Sequence, residues 1–224
     1  MNEIPYDFCD DVASIIRKIT PLCRIKSDSD ECCAWKTAFA DHHANRVRLF
    51  SKVSFVDGGW SYELRKCCSF YETSEPVELR DILKTSRKYI HLRALYIGQV
   101  KFKSPSSLKE IRRILMFLRP CVAWSDLYLH RSKAPNKAIV DLLALFISTP
   151  FDEIFLLQYS TAFEYFLKKQ IKLESLKRFY DRDGCRSAAA LKAEFEENRG
   201  KRKVYEKIKA IRMALSAITT SGYG

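Results

Sequence analysis

Glycine and proline are scarce in this chain, with 7 of each among 224 residues. Little length is left for flexible linkers, so most of the chain is expected in regular elements. No glycine-rich phosphate loop occurs. Gly58-Gly59 is an isolated pair followed by Trp60 and a strand pattern, not a helix start, which argues against a nucleotide fold or a kinase. No Gly-x-Ser-x-Gly elbow is present, and His42, His43, His91 and His130 stand in no diagnostic pattern with a cysteine or serine. The 8 cysteines include no C-x-x-C spacing. Scattered, and twice adjacent at Cys32-Cys33 and Cys67-Cys68, they read as small hydrophobes of a reducing compartment, not as disulfides or zinc ligands. With no set of residues of catalytic or metal-binding type and spacing, the expectation is a non-enzyme that needs no cofactor and no metal.

Long apolar runs are also missing. The longest, Leu142 to Leu157, is broken by Pro150, Asp152 and Glu153, well short of the roughly 20 residues a membrane span needs. Met1 to Pro5 shows no basic stretch leading into an apolar run, which predicts no secretory signal and a cytoplasmic or nuclear protein.

What is present is material for a core and an excess of positive charge. Hydrophobic residues make up 47% and aromatics 12%, enough to fill one good core or two small ones. The formal charge is +12, concentrated between Arg199 and Arg212, where seven basic residues face one acidic one. Lys201, Arg202, Lys203, Lys207, Lys209 and Arg212 are therefore candidates for holding an anionic partner, nucleic acid included. Val204, Ile208, Ile211 and Leu215 recur at helical spacing in the same segment, so it also reads as a helix docked on a core with its lysines in water.

Pro5 suits a first helical turn, Asp7, Asp10 and Asp11 complement the helix dipole, and Phe8, Val12, Ile15, Ile16 and Ile19 form an apolar stripe ended by Thr20-Pro21. A second helix is predicted from Cys32 to Ala44, with Trp35, Ala38, Phe39 and His42 on one side. The period then becomes two. Val47 to Phe55 and Trp60 to Leu64 alternate about Asp57-Gly58-Gly59, which predicts a β-hairpin in which Asp57 is a turn former. From residue 76 a strand–helix rhythm follows. Leu92–Ile97, Trp124–Leu129 and Ile154–Gln158 read as strands, each followed by an amphipathic stretch: Ser107–Leu118, Asn136–Thr149 and Thr161–Ile171. Leu176–Tyr180 reads as a fourth strand, and Asp181 to Gly184 as the turn after it, not as a calcium loop. His91 and His130 fall at strand ends, as rim residues or simple terminators. The fold class expected is α+β or α/β: a helical unit and hairpin, then a leucine-rich-repeat-like curved parallel sheet with outer helices. The divisions are 1–45, 46–75, 76–185 and a basic helix and tail over 186–224.

In this layout the N-terminal segment resembles an F-box, and the whole is similar to a family of nematode F-box-like proteins. Ile4-Pro5 and the acidic, apolar helix from Asp7 to Ile16 correspond to the motif's opening, and Trp35 to its closing tryptophan. The phrase Asp41 to Arg46, the Gly59-Trp60 turn and the strand–helix units continue the resemblance to about residue 185. It implies a substrate receptor of a cullin-RING ubiquitin ligase. Ile4, Pro5, Phe8, Val12, Ile16 and Trp35 would meet the ligase adaptor subunit, and the repeats would hold an unknown target protein. Helix-in-groove docking suits such a stripe, although the stripe can equally pack on the chain's own hairpin or repeats. The sequence departs from the family in the polar run Lys26 to Glu31 between the helices and in the basic helix that replaces further repeats, as in a shortened or diverged member.

Overall fold

A computed structural model describes residues 6–15, 32–56, 58–67, 74–98, 105–122, 125–173 and 175–221, with side chains described only as far as residue 203. The predicted end of the first helix at Thr20-Pro21, the turn residue Asp57, and Ile4, Pro5 and Ile16 lie outside the described residues or side chains.

Two helices, α1 (Tyr6–Ile15) and α2 (Cys32–Asn45), precede a hairpin of β1 (Val47–Val56) and β2 (Gly59–Cys67). Gly58 at the turn has φ +78°, a conformation that glycine adopts without a Cβ penalty. The short β3 (Ser74–Pro76) and helix α3 (Leu79–Leu83) follow, then β4 (Ile90–Gly98), β5 (Pro105–Ser106) and α4 (Leu108–Leu118). The chain continues through β6 (Ser125–Leu129), α5 (Asn136–Ala144), β7 (Phe151–Leu156), α6 (Glu164–Ile171), β8 (Arg178–Asp181) and the long α7 (Arg186–Ser221). The start of α4 shows why these boundaries fall where they do. Ser107 accepts a hydrogen bond from the Glu110 amide at 3.1 Å, the first half of a capping-box sequence, and Pro120 follows the last turn.

The strands join one sheet in the order β3-β2-β1-β4-β6-β7-β8, with β5 beside β2. From β1 to β8 every neighbouring pair is parallel. Each successive βα unit therefore adds its strand on the same side of the last, the arrangement that short right-handed crossovers produce with the helices on one face. The mixed α/β architecture expected from the strand–helix rhythm is the observed one. The hairpin belongs to it: β1 pairs with β4, and Leu49, Val53, Trp60 and Leu64 share one core cluster with the βα units.

That core lies between one face of the sheet and the helices. Leu95, Leu127, Ile154 and Phe179 stand in register across four strands and are buried, as are Ile97, Leu129 and Leu156 beside them. Ile111, Ile114 and Leu115 of α4, Leu142 and Leu143 of α5, Phe166 and Leu167 of α6, and Leu191 and Phe195 of α7 close over them. Phe151 sits 6.0 Å from Phe146 and 6.3 Å from Phe166, ring centre to ring centre, tying strand to helices.

One of the polar side chains buried in this layer ties two helical units together. Gln170 of α6 is fully buried, and its amide nitrogen donates to the carbonyl oxygens of Phe146, Ile147 and Thr149 at 3.0, 3.2 and 3.1 Å. These carbonyls follow α5, where the backbone has run out of helical partners. Gln170→Leu keeps the volume and strands them. The expected result is a loss of about 2 kcal/mol, read from the denaturant midpoint at unchanged slope. A variant as stable as the parent would show that the carbonyls find other partners.

Candidate protein-binding surfaces

The first surface is the outer side of the α1–α2 pair. Of the apolar stripe Phe8, Val12, Ile15, Ile16 and Ile19, Phe8 and Val12 have described side chains, and the buried seam lies one residue after each of them. Cys9 and Ala13 of α1 and Ala38 of α2 are fully buried against one another, with Ala34, Trp35 and Phe39 packed around them. Small residues allow the two helices to approach closely, so they take the seam and leave the larger side chains at its margin. Val12 is half-buried. Phe8 is 54% exposed, and its ring stands edge-on to Trp35 at 5.9 Å. Trp35 in turn lies 5.8 Å from Phe39. Of the expected docking residues, Phe8 and Trp35 are thus brought together.

This pair is anchored to the sheet by charge. Asp10 of α1 accepts from Nε2 of the buried His42 on α2 at 3.0 Å and from Nζ of Lys88 at 3.0 Å, just before β4. Tyr89 lies 5.0 Å from the His42 ring and 4.9 Å from the Lys88 ammonium. Arg46 donates to the carbonyl of Ala13 at 2.7 Å, satisfying an orphan acceptor of the last turn of α1. Burial pushes the Asp10 carboxyl up, but the hydrogen bonds and charges of Lys88 and His42 outweigh it and hold the pKa below its ordinary value. The stabilisation from a depressed carboxylate is present above its unfolded pKa and is lost as acid protonates it.

The second surface is the sheet face away from the helices. Tyr96, Tyr128, Phe155 and Tyr180 stand one per strand in parallel register on β4, β6, β7 and β8. Their rings stack at 4.3, 4.5 and 4.6 Å with interplanar angles of 9°, 4° and 9°. Tyr180, at the outer strand, is 41% exposed. Desolvation leads the causes that raise the Tyr96 and Tyr128 phenols, which also share a hydrogen bond, so both remain neutral donors at physiological pH. Cations flank the stack. Lys52 Nζ lies 5.7 Å from the centre of the Tyr96 ring, and the Arg178 guanidinium 5.9 Å from that of Tyr180. The apolar phrases form the expected core ladder, and the ring between them falls on the opposite face of the sheet. The signal was there: Leu95-Tyr96-Ile97, Leu127-Tyr128-Leu129, Ile154-Phe155-Leu156 and Phe179-Tyr180-Asp181 each set a ring at the same register.

The basic C-terminal segment is helical, within α7. Arg202 turns inward and donates to the carbonyl of Ile171 at 2.7 Å, while Lys201 pairs with Glu197 at 2.6 Å and Lys203 is exposed. Lys207, Lys209 and Arg212 lie on the same helix, with side chains outside the described set. His91 is buried, and His130 follows β6 half-buried with its Nδ1 against the Arg131 carbonyl, so neither forms an open rim. Asp181 accepts from the amides of Asp183 and Gly184 at 3.0 and 3.1 Å, and Asp183 accepts from that of Tyr159 at 2.9 Å. These carboxylates organise a turn, as their spacing predicted. Among the described residues no group of three or more His, Cys, Asp or Glu is placed to hold a metal ion, and no helix is long and apolar enough to cross a membrane. Comparison with models of known protein families, with curated proteins and with solved structures finds no match.

Proposed function

We propose that this chain is a non-catalytic binding protein of the cytoplasm or nucleus, a substrate receptor that docks on the adaptor subunit of a cullin-RING ubiquitin ligase and holds a target protein on its sheet. One observation carries the reading. Phe8 is more exposed than buried and is braced against Trp35, on a helix pair whose own seam is made by Cys9, Ala13 and Ala38. A large aromatic ring left outside a completed seam is the kind of anchor that a partner's groove buries. The Asp10–Lys88 ion pair supports the division of labour, because it ties the helix pair to the segment that leads into β4.

Capture of the full chain by the purified adaptor subunit tests this. Phe8→Asp is expected to lower recovery by on the order of tenfold, equivalent to about 1.4 kcal/mol at the exposed ring, with little change in melting temperature. Equal recovery of parent and variant would remove the docking reading. Nucleic-acid binding by the basic helix is the weaker alternative, since Arg202 is engaged by Ile171 and Lys201 by Glu197.

A further inference from the structure

The charges around the stacked rings are sorted by depth. At the β7–β8 end Glu153, in the row of residues next to the rings, is only 7% exposed, whereas its partner Arg178 is 57% exposed. In this pair the acid is buried and the base meets solvent. At the opposite end Glu63, 20% exposed, is covered by Lys52 and Arg65 at 28% and 29%. The sign presented to an approaching molecule is therefore positive at both ends of the aromatic row.

The rings themselves add to this. Face-to-face stacking occupies their negative faces with one another, leaving toward solvent the ring edges, which carry the positive part of the quadrupole. It also closes the interior of the row to nucleic-acid bases, because no gap between the four rings admits another. What remains is an apolar strip with Lys52 at one end, Arg178 at the other and the half-buried Asp126 beside its middle, complementary at its two ends to the carboxylates of an extended chain whose apolar side chains lie between them.

We propose that this face binds an extended acidic peptide segment, its carboxylates meeting Arg178 and Lys52 and its apolar side chains lying along Tyr96, Tyr128, Phe155 and Tyr180. The inference rests on the reading of the sheet as the target-holding surface and gives that target a chemistry. Such a segment approaches faster and binds more tightly at low salt, since part of the attraction is between exposed charges.

The test is fluorescence anisotropy of the full chain with a labelled peptide of alternating Glu and Val. Controls are the same peptide with Gln or Lys for Glu, and a single-stranded oligothymidine. The Glu peptide alone should bind, with an affinity that falls by on the order of tenfold as salt is raised toward about 0.5 M. Arg178→Gln, Lys52→Gln and Tyr180→Ala should each weaken it severalfold. Tyr180→Ala alters an exposed ring and leaves the buried carboxylates their partners, so its result stands even where loss of a cation lowers stability. Equal binding of the Gln peptide, binding of the oligonucleotide alone, or indifference to all three substitutions would overturn the proposal. Adaptor capture, which depends on Phe8, separates the two readings. A chain that captures the adaptor but ignores the Glu peptide refutes only this inference, and one that binds the peptide but not the adaptor refutes only the docking.

Discussion

Gly98→Ala is expected to destabilise the fold by about 3 kcal/mol, a fall of very roughly 10 °C in melting temperature for a chain of this size. Gly98 ends β4 with φ +152°, a backbone conformation that residues with a Cβ rarely adopt. A Cβ there would also lie 2.9 Å from the carbonyl carbon of His130, and closer still to that residue's carbonyl oxygen and Cβ. The neighbour is backbone and has no freedom to withdraw: the His130 amide donates to the carbonyl of Ile97 at 2.8 Å, extending the β4–β6 ladder past Leu129. Strain and collision act together at the point where two repeats meet. Chemical denaturation followed by circular dichroism checks it, and a midpoint within error of the parent would mean that the β4–β6 junction yields without cost.

Tyr128→Ala is the second large effect, again about 3 kcal/mol. Tyr128, like Phe155, has close parallel neighbours on both sides, Tyr96 at 4.3 Å and Phe155 at 4.5 Å, so its loss divides the row and removes two stacked pairs together with their burial. Tyr128→Phe keeps both stacks and gives up the hydroxyl hydrogen bond to Tyr96. It should cost no more than about 1 kcal/mol. If Ala and Phe proved equally mild, the row would be a consequence of strand register and not a source of stability. If Phe proved as severe as Ala, the hydroxyls would outweigh the rings.

Much of the architecture was legible because its signals are local. The alternation of Val47 to Phe55 and of Trp60 to Leu64 and the amphipathic stretch Ser107–Leu118 each lie inside one element. The structure places those elements within a few residues of the expected bounds. The α1 seam was less legible. Hydrophobicity favoured Phe8 and Val12, but close helix approach favoured Cys9 and Ala13, and which face turns inward depends on the partner helix, not on the stripe alone. Gln170 gave no warning either, since a glutamine on an amphipathic helix ordinarily faces water. Its role exists only because α5 ends beside it.

The chain by itself determined that rings would recur at one position of successive strands, since that is a matter of period and composition. Tertiary structure decided that they meet as a stack, because lateral register between parallel strands is set by the intervening helices and loops folding back over a common core. It decided also which member of each ion pair faces water. Depth is a property of the assembled sheet, and neighbouring residues such as Asp152 and Glu153 carry no record of it in their order along the chain.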